Sequence, residues 1–91
     1  LNPEPQNESL LSFPCEFPIK VMGRREDGFA QTVADIVQRH AADFNAETME
    51  MRSSKNARYL SLTVTIEAQS REQLDALYSE LSKHPMVIMV L

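Results

Sequence analysis

Four charged residues, Arg24, Arg25, Glu26 and Asp27, stand between Gly23 and Gly28, just ahead of a segment with helical periodicity. This loop is the best candidate for binding chemistry. Backbone N–H groups and the positive end of a helix dipole favour an anionic group such as a carboxylate there. Gly23, Arg24, Arg25 and Gly28 are therefore the candidate ligand-binding residues, and a solvated turn whose charges neutralise one another is the plain alternative. His40 and His84 lie far apart in sequence, and no motif links either to a nucleophile or a metal set. Cys15 stands alone beside Phe13 and Phe17, which suits a small buried residue better than a reactive thiol. A nucleophile elbow, a phosphate loop and paired metal ligands are all missing from the sequence. No catalytic residue, metal site or cofactor is expected, and the chain reads as a non-enzyme.

The elements that position this loop follow from hydrophobic period. Tyr59 to Ala68 alternates strictly: Leu60, Leu62, Val64, Ile66 and Ala68 on one face, Tyr59, Ser61, Thr63, Thr65 and Glu67 on the other. That pattern is a strand in a sheet with one buried and one wet face. Glu16 to Met22 reads as a first strand, with Phe17, Ile19 and Val21 on one side and Pro14 and Pro18 limiting its start. Phe29, Val33, Ile36, Val37, His40 and Phe44 recur at helical spacing, with Asp27 as the expected N-cap and Asn45 as the stop. Alternation returns at 47–53, and Ser54 to Arg58 turns the chain back. Ser70 followed by Gln73 predicts a capping box opening a second helix, with the stripe Leu74, Leu77, Tyr78 and Leu81 ended by Pro85. Met86 to Leu91 is wholly apolar and too short for a helix, so it is a last strand.

The order βαββαβ, with right-handed crossovers, gives an α+β ferredoxin-like sandwich. Its four-stranded antiparallel sheet has the strand order 4-1-3-2 and carries both helices on one face. Residues 1–12, rich in proline and polar groups, form a flexible tail, and 13–91 form one domain. Leu10, Leu11 and Phe13 are placed to dock part of that tail. The last strand lies at a sheet edge and has no charge or proline to guard it. Val87, Ile88, Met89, Val90 and Leu91 are thus the candidate interface, most simply with a second copy of the chain. A fold-back of the tail over the same edge is the alternative.

A length of 91 residues suits one small domain, and 43% hydrophobic content supports a core without staples. One cysteine permits no internal disulfide, which fits a reducing, cytoplasmic setting. No apolar run is long enough to span a membrane, and the N-terminal residues lack signal-peptide character. The chain opens at Leu1 rather than Met, as a truncated or trimmed chain would. Net charge is -4, against generic nucleic-acid or anionic-membrane binding. An RNA-recognition domain of this shape needs an aromatic pair on its open face, where Lys20 and Arg52 accompany Tyr59 alone.

The run F-P-C-E-F-P-I-K-V-M-G at Phe13–Gly23 resembles the opening of the YbeD family, small bacterial proteins of unknown function. The likeness continues through V-Q-R-H at Val37–His40, S-K-N-A-R-Y-L-S-L-T-V at Ser54–Val64 and L-Y-S-E-L at Leu77–Leu81, and ends with M-V-L at Met89–Leu91. The resemblance implies a fold similar to ACT regulatory domains, which bind amino acids near the loop equivalent to 23–28. In some genomes the family sits beside lipoate-attachment genes, which implies a role near lipoate metabolism. Members usually carry glycine where this chain has Ala57, so the hairpin here is expected to be wider or of another type. Two functions follow as expectations. One is a non-catalytic regulatory or adaptor module working through protein contacts. The other is an ACT-like sensor of an amino acid or other carboxylate at Gly23–Gly28.

Overall fold

A computed structural model describes residues 12–91. The tail expected over 1–12 therefore lies, apart from Ser12, outside the described residues, as does any docking of Leu10 and Leu11. Phe13 packs half-buried against the core. The elements run β1 (Cys15–Arg24), α1 (Phe29–His40), a 3-10 turn (Ala46–Thr48), β2 (Glu50–Ser53), β3 (Tyr59–Ala68), α2 (Arg71–Lys83) and β4 (Val87–Val90). They form one antiparallel sheet in the order β2-β3-β1-β4, the expected 4-1-3-2 order taken from the other edge.

The alternation of β3 decides where the core sits. Leu60, Leu62, Val64, Ile66 and Ala68 are buried, while Tyr59 and Glu67 are exposed and Ser61, Thr63 and Thr65 half-exposed. Ile19 and Val21 of β1 lie on the same covered face, paired with Val64 and Leu62. Phe29, Val33, Ile36 and Val37 from α1 and Leu74, Leu77 and Leu81 from α2 complete the cluster. Fully burying one such side chain contributes about 1.5–3 kcal/mol, so the helices are held by this single face. Pro18 occupies a central strand without harm. Its nitrogen faces the same side as that of Lys20, which bonds Leu91, and β4 pairing does not reach as far as Pro18.

Several boundaries depart from expectation for local reasons. β1 continues through Gly23 and Arg24, because these pair with Leu60 and Tyr59. Asp27 is not the N-cap of α1. Gly28 takes that place in the left-handed region at φ 85°, where glycine carries no steric penalty, and Thr32 N–H donates to its carbonyl at 2.8 Å. The helix stops at His40, not Asn45. Phe44 is still buried, reached by a turn in which the Gln38 side-chain amide donates to the carbonyls of Ala42 and Phe44. Asn45 instead caps the 3-10 turn, its side-chain oxygen accepting from Glu47 N–H at 2.9 Å. That turn takes up Glu47 and Thr48, so β2 is shorter than the alternation over 47–53 implied. At α2 the Ser70 half of the capping box forms as expected, Ser70 Oγ accepting from Gln73 N–H at 3.1 Å, while Gln73 Oε1 accepts from Gln69 N–H at 2.6 Å, one residue before the N-cap.

Candidate functional site

The antiparallel ladder between β1 and β3 does not end with its strands. Arg24 pairs with Tyr59, and one step further Arg25 N–H donates to the Arg58 carbonyl at 2.8 Å. This extension ties the β1–α1 loop to the β2–β3 hairpin and leaves a cleft of about 450 Å³ between them. Arg24, Arg25, Glu26, Ala57, Arg58 and Tyr59 line it. Of the residues expected to bind a ligand, Arg24 and Arg25 are here, but the two glycines are not. Gly23 is buried in β1, and a methyl at its Cβ position would sit 2.7 Å from Phe29 Cζ and closer still to Phe29 Cε1 and the Met86 carbonyl oxygen. It is a packing glycine. Gly28 serves the turn into α1. Arg58 and Tyr59 were missed as site residues because they lie 33 or more positions downstream of Arg25; the only available signal was the hairpin that had to return beside β1.

Hairpin geometry fixes this wall of the cleft. Ser54 N–H donates to the Tyr59 carbonyl at 3.0 Å, closing a four-residue loop, wider than a two-residue hairpin as expected. Ala57 nevertheless adopts φ 59°, the left-handed conformation expected to be resisted by alanine. It is held there by Ala57 N–H to the Ser54 carbonyl at 3.0 Å and by Asn56 Oδ1, which accepts from Arg58 N–H at 3.3 Å. Arg25 Nη1 reaches across to Ser53 Oγ at 2.9 Å.

The second candidate surface is β4. Val21 pairs with Val90 and Met22 with Met89, after which the register slips so that Gly23 meets Val87 and Ile88 is the extra residue. Val87 and Val90 are half-buried and pack on the core, so they support the edge rather than form its outer surface. Ile88, Met89 and Leu91 are 55%, 46% and 60% exposed. Met22 and Met89 share the open sheet face, and Leu91 joins them opposite Lys20 through two backbone hydrogen bonds.

Comparison with known proteins places these features in a family. The sequence profile described as "Protein of unknown function (DUF493)" matches residues 8–91. The chain belongs to the DUF493 family. A UPF0250 protein of Nitrosomonas europaea is 57% identical over 84 residues, covering 92% of this chain and 97% of the relative. One from Ralstonia nicotianae is 53% identical over 87 residues, covering 96% and 90%. Among solved structures, protein HP0495 of Helicobacter pylori superposes with a TM-score of 0.72 at 20% identity, over 89% of this chain and 85% of that one. The ACT domain of a GTP pyrophosphokinase from Chlorobium tepidum gives 0.63 at 18% identity, over 84% of each chain. The YbeD-like membership and ACT-like fold expected from the residues are thereby established.

Elsewhere in this DUF493 protein His40, Glu80, Tyr78 and His84 have structural partners. His40 Nε2 lies 2.7 Å from Glu80 Oε1, and Arg39 pairs with the other oxygen. The His40 hydrogen bond holds the Glu80 carboxyl below its ordinary range; desolvation opposes it, and Arg39 adds to it. Gln73 Nε2 donates to the His40 carbonyl at 2.7 Å, so α2 also caps the end of α1. His84 Nδ1 accepts from Met86 N–H at 3.1 Å, shaping the turn into β4. Tyr78 donates to the Leu91 carbonyl at 3.4 Å, and burial pushes its phenol upward. Cys15 is half-buried against the core. Among the described residues no three metal-ligating side chains come together, and no helix is long and apolar enough to cross a membrane.

Proposed function

We propose that this protein is a non-catalytic regulatory or adaptor module that works through protein contacts along β4, most simply with a second copy of itself. The observation that carries this reading is the apolar outer surface of an edge strand that no described residue pairs with on its outer side: Ile88 and Met89 of β4, whose residues carry no charge, and Leu91 just beyond it are exposed. A free edge offers unpaired N–H and C=O groups, and proteins ordinarily guard it with lysine, proline or a covering element. Two copies of β4 can pair antiparallel about a twofold axis, each using the same patch, and an uncharged strand meets no like-charge repulsion in doing so. The test is the solution mass of the chain beside its Ile88→Lys and Met89→Lys variants. A dimer that becomes a folded monomer supports the reading, and a monomeric wild type overturns self-association. Val90→Lys is a poorer probe, because Val90 packs on the core.

A second reading, small-molecule sensing at the first loop, is favoured by the cleft beside Arg24 and Arg25. A melting shift with amino acids or lipoate supports it, and an unchanged melting curve across such carboxylates counts against it.

A further inference from the structure

Three arginines, Arg24, Arg25 and Arg58, and one acidic residue, Glu26, line the cleft between the β1–α1 loop and the β2–β3 hairpin, on a chain whose net charge is -4. This concentration of positive charge is built by the backbone. The register that pairs Arg24 with Tyr59 continues to Arg25 and Arg58, so two like charges stand directly opposite each other across the ladder. Such a cross-strand pair destabilises a sheet unless a counter-charge lies nearby. Among the described residues none of Arg24, Arg25 and Arg58 is paired with a carboxylate; Arg25 reaches only the Ser53 hydroxyl. Tyr59, 43% exposed, lines the same cleft.

We propose that this cleft is a binding site for a small organic oxyanion that carries at least two negative charges and a flat apolar portion. The guanidinium groups take the oxyanion through forked, charge-assisted hydrogen bonds, which suit carboxylate and phosphate alike. Tyr59 takes the flat portion against its ring. A volume of about 450 Å³ lies within the range of small-molecule sites. The proposal deepens the sensing reading by naming the residues and the ligand chemistry, and the site can exist even where binding carries no signal.

The test is a titration followed by backbone amide NMR, using phenyl phosphate, phthalate and inorganic phosphate as probes on the folded chain. Saturable shifts at Arg24, Arg25, Arg58 and Tyr59 are expected, with phenyl phosphate tighter than inorganic phosphate. The tighter of phenyl phosphate and phthalate identifies the headgroup. Arg24→Gln and Arg58→Gln should each weaken binding about tenfold or more, the strength of a hydrogen bond to a charged group. Lys83→Gln, on the last turn of α2 and away from the cleft, should leave it unchanged. Added salt should weaken binding, since the site is open and screened. Diffuse shifts that never saturate, or equal weakening by Lys83→Gln, overturn the site. Specific binding with no change in solution mass would leave the site standing and remove a sensing role exerted through self-association, since the ligand-linked rise in melting reports binding alone.

Discussion

Replacing Gly23 by alanine separates a packing glycine from a ligand-loop glycine. The added methyl would lie 2.7 Å from Phe29 Cζ and closer to two further atoms, one of them the Met86 carbonyl oxygen. Comfortable carbon contacts are about 3.5–4.0 Å, so the ring must retreat by about 1 Å and the backbone ahead of β4 must move as well. Phe29 is 1% exposed and among the largest fully buried side chains, leaving it nowhere to go without displacing core neighbours. Overpacking of this kind costs about 1–3 kcal/mol, and the rigid carbonyl places this site at the upper end. The φ of Gly23 is not positive, so alanine also recovers about 0.4–1 kcal/mol through the unfolded chain. The net loss is about 2 kcal/mol, or about 8–16 °C in Tm for a domain of this size. Thermal and urea denaturation would measure it. An unchanged or raised Tm would refute the packing account and return Gly23 to the list of ligand-loop residues.

Other outcomes follow from local geometry. Ala57→Gly relieves the left-handed conformation at φ 59° and should stabilise the protein by about 0.5–1 kcal/mol by urea denaturation, with Ala57→Val going the other way. Ser70→Ala removes the N-cap of α2 and should cost about 1 kcal/mol in the same assay, Ser70→Gly less. His40→Ala should raise the Glu80 titration midpoint, followed by carboxyl-carbon NMR. Because the folded midpoint of Glu80 lies below its ordinary value of 4.5, the stability it contributes is present above that pH. It is lost as pH falls through the folded value, and an unshifted midpoint in the variant would exclude His40 as the cause.

The fold was legible because each element carries its own period. The alternation of Leu60 through Ala68, the helical recurrence of Phe29, Val33 and Val37, and the Ser70–Gln73 cap are all short-range signals. The departures depend on long-range contact. Asp27 has the right chemistry for an N-cap, but the route from β1 into α1 needs a left-handed residue one position later. The helical stripe of α1 runs on to Phe44 although the helix has ended, because a buried phenylalanine looks the same whether a helix or a turn delivers it. Gly23 shows the limit most clearly. Followed by four charged residues it resembles a loop residue, and only Phe29 and the backbone at Met86 reveal its place in the core. The candidate site was half legible for a related reason. Arg24 and Arg25 are adjacent in sequence, whereas Arg58 joins them only through strand pairing.

The shortness of β2 has a bearing on how this molecule breathes. All four of its residues are exposed, and among the described residues it is paired on one side only, with β3. Few apolar contacts therefore resist its local opening, and its amides should exchange with solvent well before those of β1 and β3. The hairpin that follows carries Arg58, so one wall of the arginine cleft hangs on the least protected segment of the sheet, while Arg24 belongs to one of the best protected strands. Anything that clasps the two together would slow exchange along Glu50–Ser53, making that stretch of amides a gauge of what the cleft holds.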